Sequence, residues 1–473
     1  MAASEPLGDH DVPALNLAGD PMTILGSKIA ELAGKLRGSV VTPRSPGYDD
    51  ARRVWNAMLD RRPALIARCT GTADVITAVN FARDEGLLTC VRSGGHSQSG
   101  SCMVDGAFVV DLKGMRAVRV DPAARVVWAQ PGATLADIDH ETDMFDLAVP
   151  TGRVSATGIG GLALNGGTGY LGRPFGLTVD NLRSADVVLA DGSFVRASAD
   201  SNPDLFWALR GAGGNFGIVT SFEFDAHPVG EVFGGMVAFP REAGKDLAKL
   251  FRNTMRDAPD NLDLSFALIT LPDGTPASAI VACYCGPPEE GEALLRPVRE
   301  WRTPVADLMG RMRFRGIQAL FDDMGWSKPT YWKSSMAQEV TDGAIDVLVA
   351  QAEKMESPMS MVLIESNGGA VARVGETATS YPNRSARYSL AACARWERSD
   401  PEVNARHVGW AKETHELLRP HVQEKVYLGF LSDDGDSRLR DAYGCNYERL
   451  EEIKTKYDPA NMFRHTANIK PKA

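Results

Sequence analysis

From Ala64 onward the apolar positions of the chain fall into regular periods. LIARC reads as a short strand, and ADVITAVNFARDE repeats its apolar residues at helical spacing, with Thr72 as the expected cap and Gly86 as the stop. LLTCVR follows as a second strand and opens into the loop SGGHSQSG, which completes a strand–helix–strand unit. Beyond it the period shortens to two. GAFVVDL, ARVVWAQ, ADVVLADGSFVRAS and GIVTSFEFDAHPV predict strands, and Asp191-Gly192 predicts a hairpin turn pairing Ala185–Ala190 with Ser193–Ser198. A second α+β stretch starts near Glu231, with strands in GGMVAF, LDLSFALITL and ASAIVACYC and a helix in EEGEALLRPVREW. RLRDAYGCNYERLEEIKTKYDP predicts one closing helix that stops before Pro459, and residues 1–40, polar apart from a short helix around Ile29–Leu36, are expected to be peripheral.

A length of 473 residues suits two or three domains, with 44% hydrophobic and 24% charged residues as in an ordinary globular protein. The 51 basic and 61 acidic residues give a formal charge of −10 without long blocks of one sign, which argues against nucleic acid or an anionic membrane as the main partner. Seven scattered cysteines (Cys69, Cys90, Cys102, Cys283, Cys285, Cys393 and Cys445) lack the paired spacing of a zinc site and read as reduced. His407, His415 and His421 sit in a segment that reads as a solvated helix, so no metal is expected. The N-terminus lacks the pattern of a signal peptide, and no apolar run approaches the ~18 residues of a membrane span, so the expected location is cytoplasmic.

Three glycine segments carry the candidate chemistry: Ser93-Gly94-Gly95-His96-Ser97, Gly158 to Gly169, and Gly211 to Gly217. Gly158-Ile-Gly160-Gly161-Leu-Ala163 fits G-x-G-x-x-A, with Asp180 about twenty residues on. The preceding PTGRVSAT is no hydrophobic strand, so a dinucleotide-binding βαβ unit is not expected there. Glycine lets backbone approach a ligand closely and turn successive N–H groups toward phosphate. Three such loops therefore suit a long phosphorylated cofactor better than simple turns.

VRSGGHSQSG, GAFVVDLKGM, VSATGIGGLALNGGTGYLGRPFGLTVDNL and NPDLFWALRGAGGNFGIVTSFEF resemble, in that order, the FAD-linked oxidases of the vanillyl-alcohol-oxidase superfamily. YGCNYERLEEIKTKYDPANMF is similar to the closing motif of the berberine-bridge-enzyme-like branch, and the likeness runs from about Asp49 to Pro471. Among bacterial members it looks closest to enzymes of antibiotic and polyketide pathways such as enterocin biosynthesis. The resemblance implies an α+β fold: a two-part FAD-binding domain over 41–230 and 430–473, and an α+β substrate domain with an antiparallel sheet over 231–429.

It also implies roles for particular residues. Arg92, Ser93, Gly94, Gly95, His96 and Ser97 match the pyrophosphate loop, whose histidine bonds to the flavin, although the family often has glycine where Ser93 stands. Val154 occupies the position of a second, cysteinyl link in many relatives, so a single covalent bond is implied. Ser155, Thr157, Gly158, Gly160 and Gly161 would line the flavin ring and ribityl chain, with Gly166 and Gly167 behind them. Gly217, Ile218 and Val219 would lie near the adenine half, and Asn468 close to the flavin. The family's base is often a tyrosine, for which Tyr443, Tyr427 and Tyr447 are the candidates. The implied activity is oxidation of a small, secondary-metabolite-like molecule with dioxygen as electron acceptor. Oxygenation through a flavin N5-oxide, or flavin binding without turnover, are the alternatives; substrate identity and oligomeric state are not set by the sequence.

Overall fold

A computed structural model describes residues 10–322, 327–423, 429, 437–464 and 467–472. The first sheet comes from the strand–helix–strand unit. Leu65–Arg68 and Thr89–Arg92 both pair in parallel with Phe108–Asp111, which lies between them, and Ser39–Val41 adds an antiparallel edge. The helix Thr72–Asp84 buries Val75, Ala78, Val79 and Ala82 against this sheet. Thr72 is its first helical residue and not its cap. The cap is Gly71, without a side-chain bond, and Asp74 in the first turn instead ties in the preceding segments by accepting the backbone N–H groups of Thr70, Arg37 and Gly38. Residues expected to be peripheral join the same core: the Val12–Leu15 and Pro21–Ile24 hairpin and the helix Gly26–Lys35 bury Val12, Ile24, Ile29 and Leu32.

A five-stranded antiparallel sheet follows, in the order Phe194–Ser198, Leu182–Val188, Ile218–Asp225, Val126–Ala129, Val118–Asp121. The predicted hairpin is present, with Ala185 opposite Ala197 and Val188 opposite Phe194. The C-terminal segment packs on this layer through Leu439, Tyr443, Leu450 and Ile453. It is two helices, Ser437–Tyr443 and Tyr447–Tyr457, where one was expected. Gly444 takes φ +51°, and the Asn446 amide donates to the carbonyls of Glu376, Thr379 and Ser380, so tertiary bonds interrupt a locally helical sequence.

Residues 231–395 build an eight-stranded antiparallel sheet whose core strands run Glu231–Pro240, Pro276–Tyr284, Leu262–Thr270, Met361–Ser366, Tyr388–Arg395, Thr330–Ala337. The helices Gly244–Arg256, Asp342–Ala352 and Pro401–Leu418 cover one face, packing on Leu264, Phe266, Val362, Ile364, Leu390 and Ala392. Pro401–Leu418 thus buries His407, Ala411, Thr414 and Leu418, and is not the wholly solvated helix expected. Because side chains alternate across a strand, Asp263, Ser265, Glu365 and Ser389 occupy the opposite face, with Glu365 paired to both Ser265 and Ser389. The molecule is the two-part α+β fold anticipated. Among the described residues no helix is long and apolar enough to cross a membrane.

Candidate active site

The parallel strand Thr89–Arg92 delivers the first loop. Its last residue, Arg92, is buried and donates to the Ala51 carbonyl, 3.9 Å from the Asp111 carboxylate, so it braces the loop from below. Ser93 donates its hydroxyl to the Pro131 carbonyl, a bond that a glycine could not make. Gly95 turns the chain at φ +74° and presents His96. The imidazole stacks on Trp55 with ring centres 5.5 Å apart, and its Nδ1 lies 3.3 Å from the Gly94 carbonyl. Burial pulls its pKa down to about 4, with the Gly94 carbonyl opposing, so the ring is neutral at pH 7. A carbonyl can only accept; the bond therefore places the proton on Nδ1 and a lone pair on Nε2.

The second loop lies directly against the first. A Cβ on Gly158 would stand 2.5 Å from the Gly94 Cα, and one on Gly160 would meet the Ser93 hydroxyl at 2.7 Å. The loop is held by the helix Leu135–Asp143, whose first-turn N–H groups lack intrahelical partners: Leu135 donates to the Thr157 carbonyl and Ala136 to that of Ser155, each at 2.9 Å. The Ser155 hydroxyl points elsewhere, to the Asp322 carboxylate at 2.7 and 2.6 Å. Gly167 packs behind the loop, where a Cβ would fall 2.1 Å from the Thr178 hydroxyl.

The third contribution is C-terminal. Asn215 donates to the Ala467 carbonyl at 2.9 Å and accepts the Ile469 N–H at 3.1 Å, gripping the backbone on either side of Asn468. Beneath it, fully buried Lys454 donates to the Asn215 and Phe463 carbonyls and to Asp458 at 2.7, 2.8 and 2.6 Å.

These segments enclose a cleft of about 1110 Å³, larger than the ~300–1,000 Å³ usual for one small ligand. Ser93, Gly94, Gly95, His96, Ser97, Thr157, Gly158, Gly160, Gly161, Gly217, Ile218, Val219 and Asn468 all line it. Arg92, Ser155, Gly166 and Gly167 do not line it. Tyr443 and Tyr447 are not brought to it. Tyr443 is fully buried in the core with its hydroxyl unpartnered among the described residues, and burial pushes that hydroxyl up, away from the range of a base. Tyr447 sits in the same core under the Arg440 guanidinium, 4.3 Å from its ring centre. Tyr427 lies outside the described residues.

The residues suit a flat, phosphorylated dinucleotide such as FAD. Gly94, Gly158 and Gly160 let the two loops pack so closely that no Cβ would fit between them. The buried Asn468 Oδ1 has no partner among the described residues, and Gly161 faces open space.

Sequence reasoning missed the opposite wall. Arg153, next to Val154, reaches across to the large sheet, donating to Asp263 at 2.7 and 3.0 Å, with its Nε 2.9 Å from Glu365. Arg153, Glu365 and Trp332 line the cleft from that side. The one available signal was a carboxylate inside the apolar run MVLIES, at an alternation that turns it away from the helices.

Comparison with known proteins agrees with this geometry. Residues 63–198 match the FAD binding domain family, and residues 426–470 match the berberine and berberine-like family. An FAD-linked oxidoreductase of Dictyostelium discoideum is 30% identical, covering 94% of this chain and 97% of that protein. The (R)-6-hydroxynicotine oxidase of Paenarthrobacter nicotinovorans is 30% identical over 92% of this chain and 97% of its own. The crystal structure of 6-hydroxy-D-nicotine oxidase from Arthrobacter nicotinovorans superposes with a TM-score of 0.85 at 27% identity, covering 92% and 98% of the two chains.

Proposed function

Because this chain belongs to the berberine-bridge-like branch of the FAD-linked oxidoreductases, a family of the vanillyl-alcohol-oxidase superfamily, we propose that it carries one FAD bonded to His96 and oxidises a small alcohol or amine, with dioxygen as the final electron acceptor. The observation that carries this reading is the neutral imidazole of His96 set in a glycine-walled cleft. Bound FAD would supply the hydride acceptor and the route for two electrons to dioxygen.

The chain's own residues do the rest. His96 Nε2 is the nucleophile for the single covalent link, and Val154 offers no thiol for a second. Gly94 and Gly158 pack backbone to backbone so that their two loops form one continuous wall, and Asn468 Oδ1 would accept a hydrogen bond from the cofactor. The large sheet forms the wall opposite the glycine loops, and Trp55 and Trp332 give the cleft aromatic walls. With Tyr443 and Tyr447 in the core, Glu365 is the group on the opposite wall able to take a proton from substrate. Burial raises its carboxyl above the ordinary range, Arg153 opposes that shift, and Asp263 adds to it.

The test is anaerobic mixing of purified protein with a panel of alcohols and amines, watching the flavin absorption band, followed by admission of air and a peroxide assay. Bleaching with recovery and peroxide is the expected outcome. A band that no member of the panel bleaches would leave flavin binding without turnover.

A further inference from the structure

The short segment from Val54 to Met58 joins the two halves of the molecule. Val54 packs beneath the first loop with Ile66, Cys90 and Val109, and Met58 packs against the core of the eight-stranded sheet. Trp55, between them, enters neither core. Its indole lies on the cleft wall and stacks on the His96 imidazole, with ring centres 5.5 Å apart and planes 21° from parallel. Its backbone N–H donates to the Gly95 carbonyl at 2.9 Å, so ring and backbone both meet the pair Gly95-His96. The bond between Nδ1 and the Gly94 carbonyl holds one edge of the imidazole, and the stack sets the plane of the ring.

The next residue ties this arrangement to the sheet half. Asn56 is fully buried; its amide donates to the Gln98 carbonyl, two residues past His96, at 3.3 Å, and its Oδ1 accepts the Thr330 N–H at 3.1 Å. The Ala57 N–H donates to the Lys328 carbonyl at 3.2 Å, which makes a short parallel bridge to the same strand. Arg395, opposite Thr330 in the register, is buried, and its guanidinium lies over the Trp55 ring, 5.6 Å from the centre, within cation–π range. Asn56 and Arg395 do not line the cleft, so any effect they have on a molecule bound there passes through Trp55 and the loop from Gly95 to Gln98. Stability alone would be served by an apolar side chain buried in either core. It does not call for one flat ring set against another, or for a buried amide bonded on both sides.

On the premise that FAD is bonded to His96, we infer that Trp55 is the positioning residue of that attachment: its indole holds the imidazole plane for attack, and Asn56 makes the hold depend on docking of the sheet half. In the step itself Nε2 bonds to the 8α-carbon of FAD. That carbon and the imidazole each give up one proton, the electron pair of the broken C–H bond passes into the flavin ring, and dioxygen then removes two electrons and two protons as peroxide. A ring free to turn about its side-chain bonds seldom meets that carbon correctly, and small losses of alignment cost roughly one to two orders of magnitude in rate.

The experiment mixes protein produced flavin-free in riboflavin-starved cells with saturating FAD in air at neutral pH. Acid-stable flavin is followed with time by intact mass, with thermal melting alongside, for wild type, Trp55→Leu, Trp55→Phe and Asn56→Ala. Saturation removes any change in FAD affinity from the comparison. Trp55→Leu is expected to attach flavin at least about tenfold more slowly than wild type, and Trp55→Phe to recover to within about threefold. Asn56→Ala should be slower than wild type by at least about fivefold, although its side chain does not reach the cleft. Attachment at the wild-type rate in Trp55→Leu or in Asn56→Ala, or Trp55→Phe as slow as Trp55→Leu, would each overturn the inference. Flavin that acid releases from wild type would instead overturn the covalent reading on which it rests. Should Asn56→Ala fail to fold, the two Trp55 variants decide.

Discussion

At the scale of single residues, the cleft depends on atoms that are absent as much as on those present. Gly94 and Gly158 touch backbone to backbone, so Gly158→Ala must push the two loops apart. It is expected to cut bound flavin at least tenfold while leaving the thermal melt within a few degrees, as read from the flavin-to-protein absorbance ratio. For His96 the expectation is one of pH. Burial lowers its pKa from the ordinary 6.5 to about 4, so the ring is already the neutral nucleophile across the mildly acidic range. Attachment of added FAD to flavin-free protein should run at a nearly constant rate from pH 8 to about 5.5. A rate that halves near pH 6.5 would show an imidazole titrating as it does in water. These glycines and the histidine were legible in the sequence because local spacing marks them. Glu365 was not, because its meaning depends on Arg153 and Asp263, which lie 110 residues apart in the chain and meet only across the two halves of the fold.

At the scale of elements, the C-terminal segment works as a clasp. Lys454 joins Asp458, Phe463 and Asn215 in a fully buried knot, and Asn215 grips the backbone around Asn468. Lys454→Met leaves the Asp458 charge buried without its partner and should cost about 3–5 kcal/mol in urea unfolding. Asn215→Ala is milder for the fold, but it frees the Ile469 N–H and the Ala467 carbonyl, so flavin affinity should fall more than stability. The hairpin at Asp191-Gly192 and the helix Thr72–Asp84 could be read from periodicity, since local pattern and tertiary packing agree there. The break at Gly444–Asn446 could not be read, because the side-chain bonds that impose it reach to carbonyls more than sixty residues away.

At the scale of the whole molecule, a cofactor half and a sheet half face each other across one cleft, and each supplies what the other lacks. The first brings glycine walls and a neutral histidine, the second the Glu365 carboxylate and Trp332. The fold class followed from motifs that stay in order along the chain. The N-terminal forty residues did not read as core, since their short strands carry too few apolar positions to reveal how deeply Ile24, Ile29 and Leu32 are buried.

The central claim, one FAD bonded to the chain through His96, is tested most directly by precipitating purified wild type and His96→Ala in acid and measuring colour and intact mass. Wild type should keep its yellow colour in the pellet with a mass increase of one FAD, and His96→Ala should release all flavin to the supernatant. Flavin washed from the wild-type pellet, or retained by His96→Ala, would contradict the account.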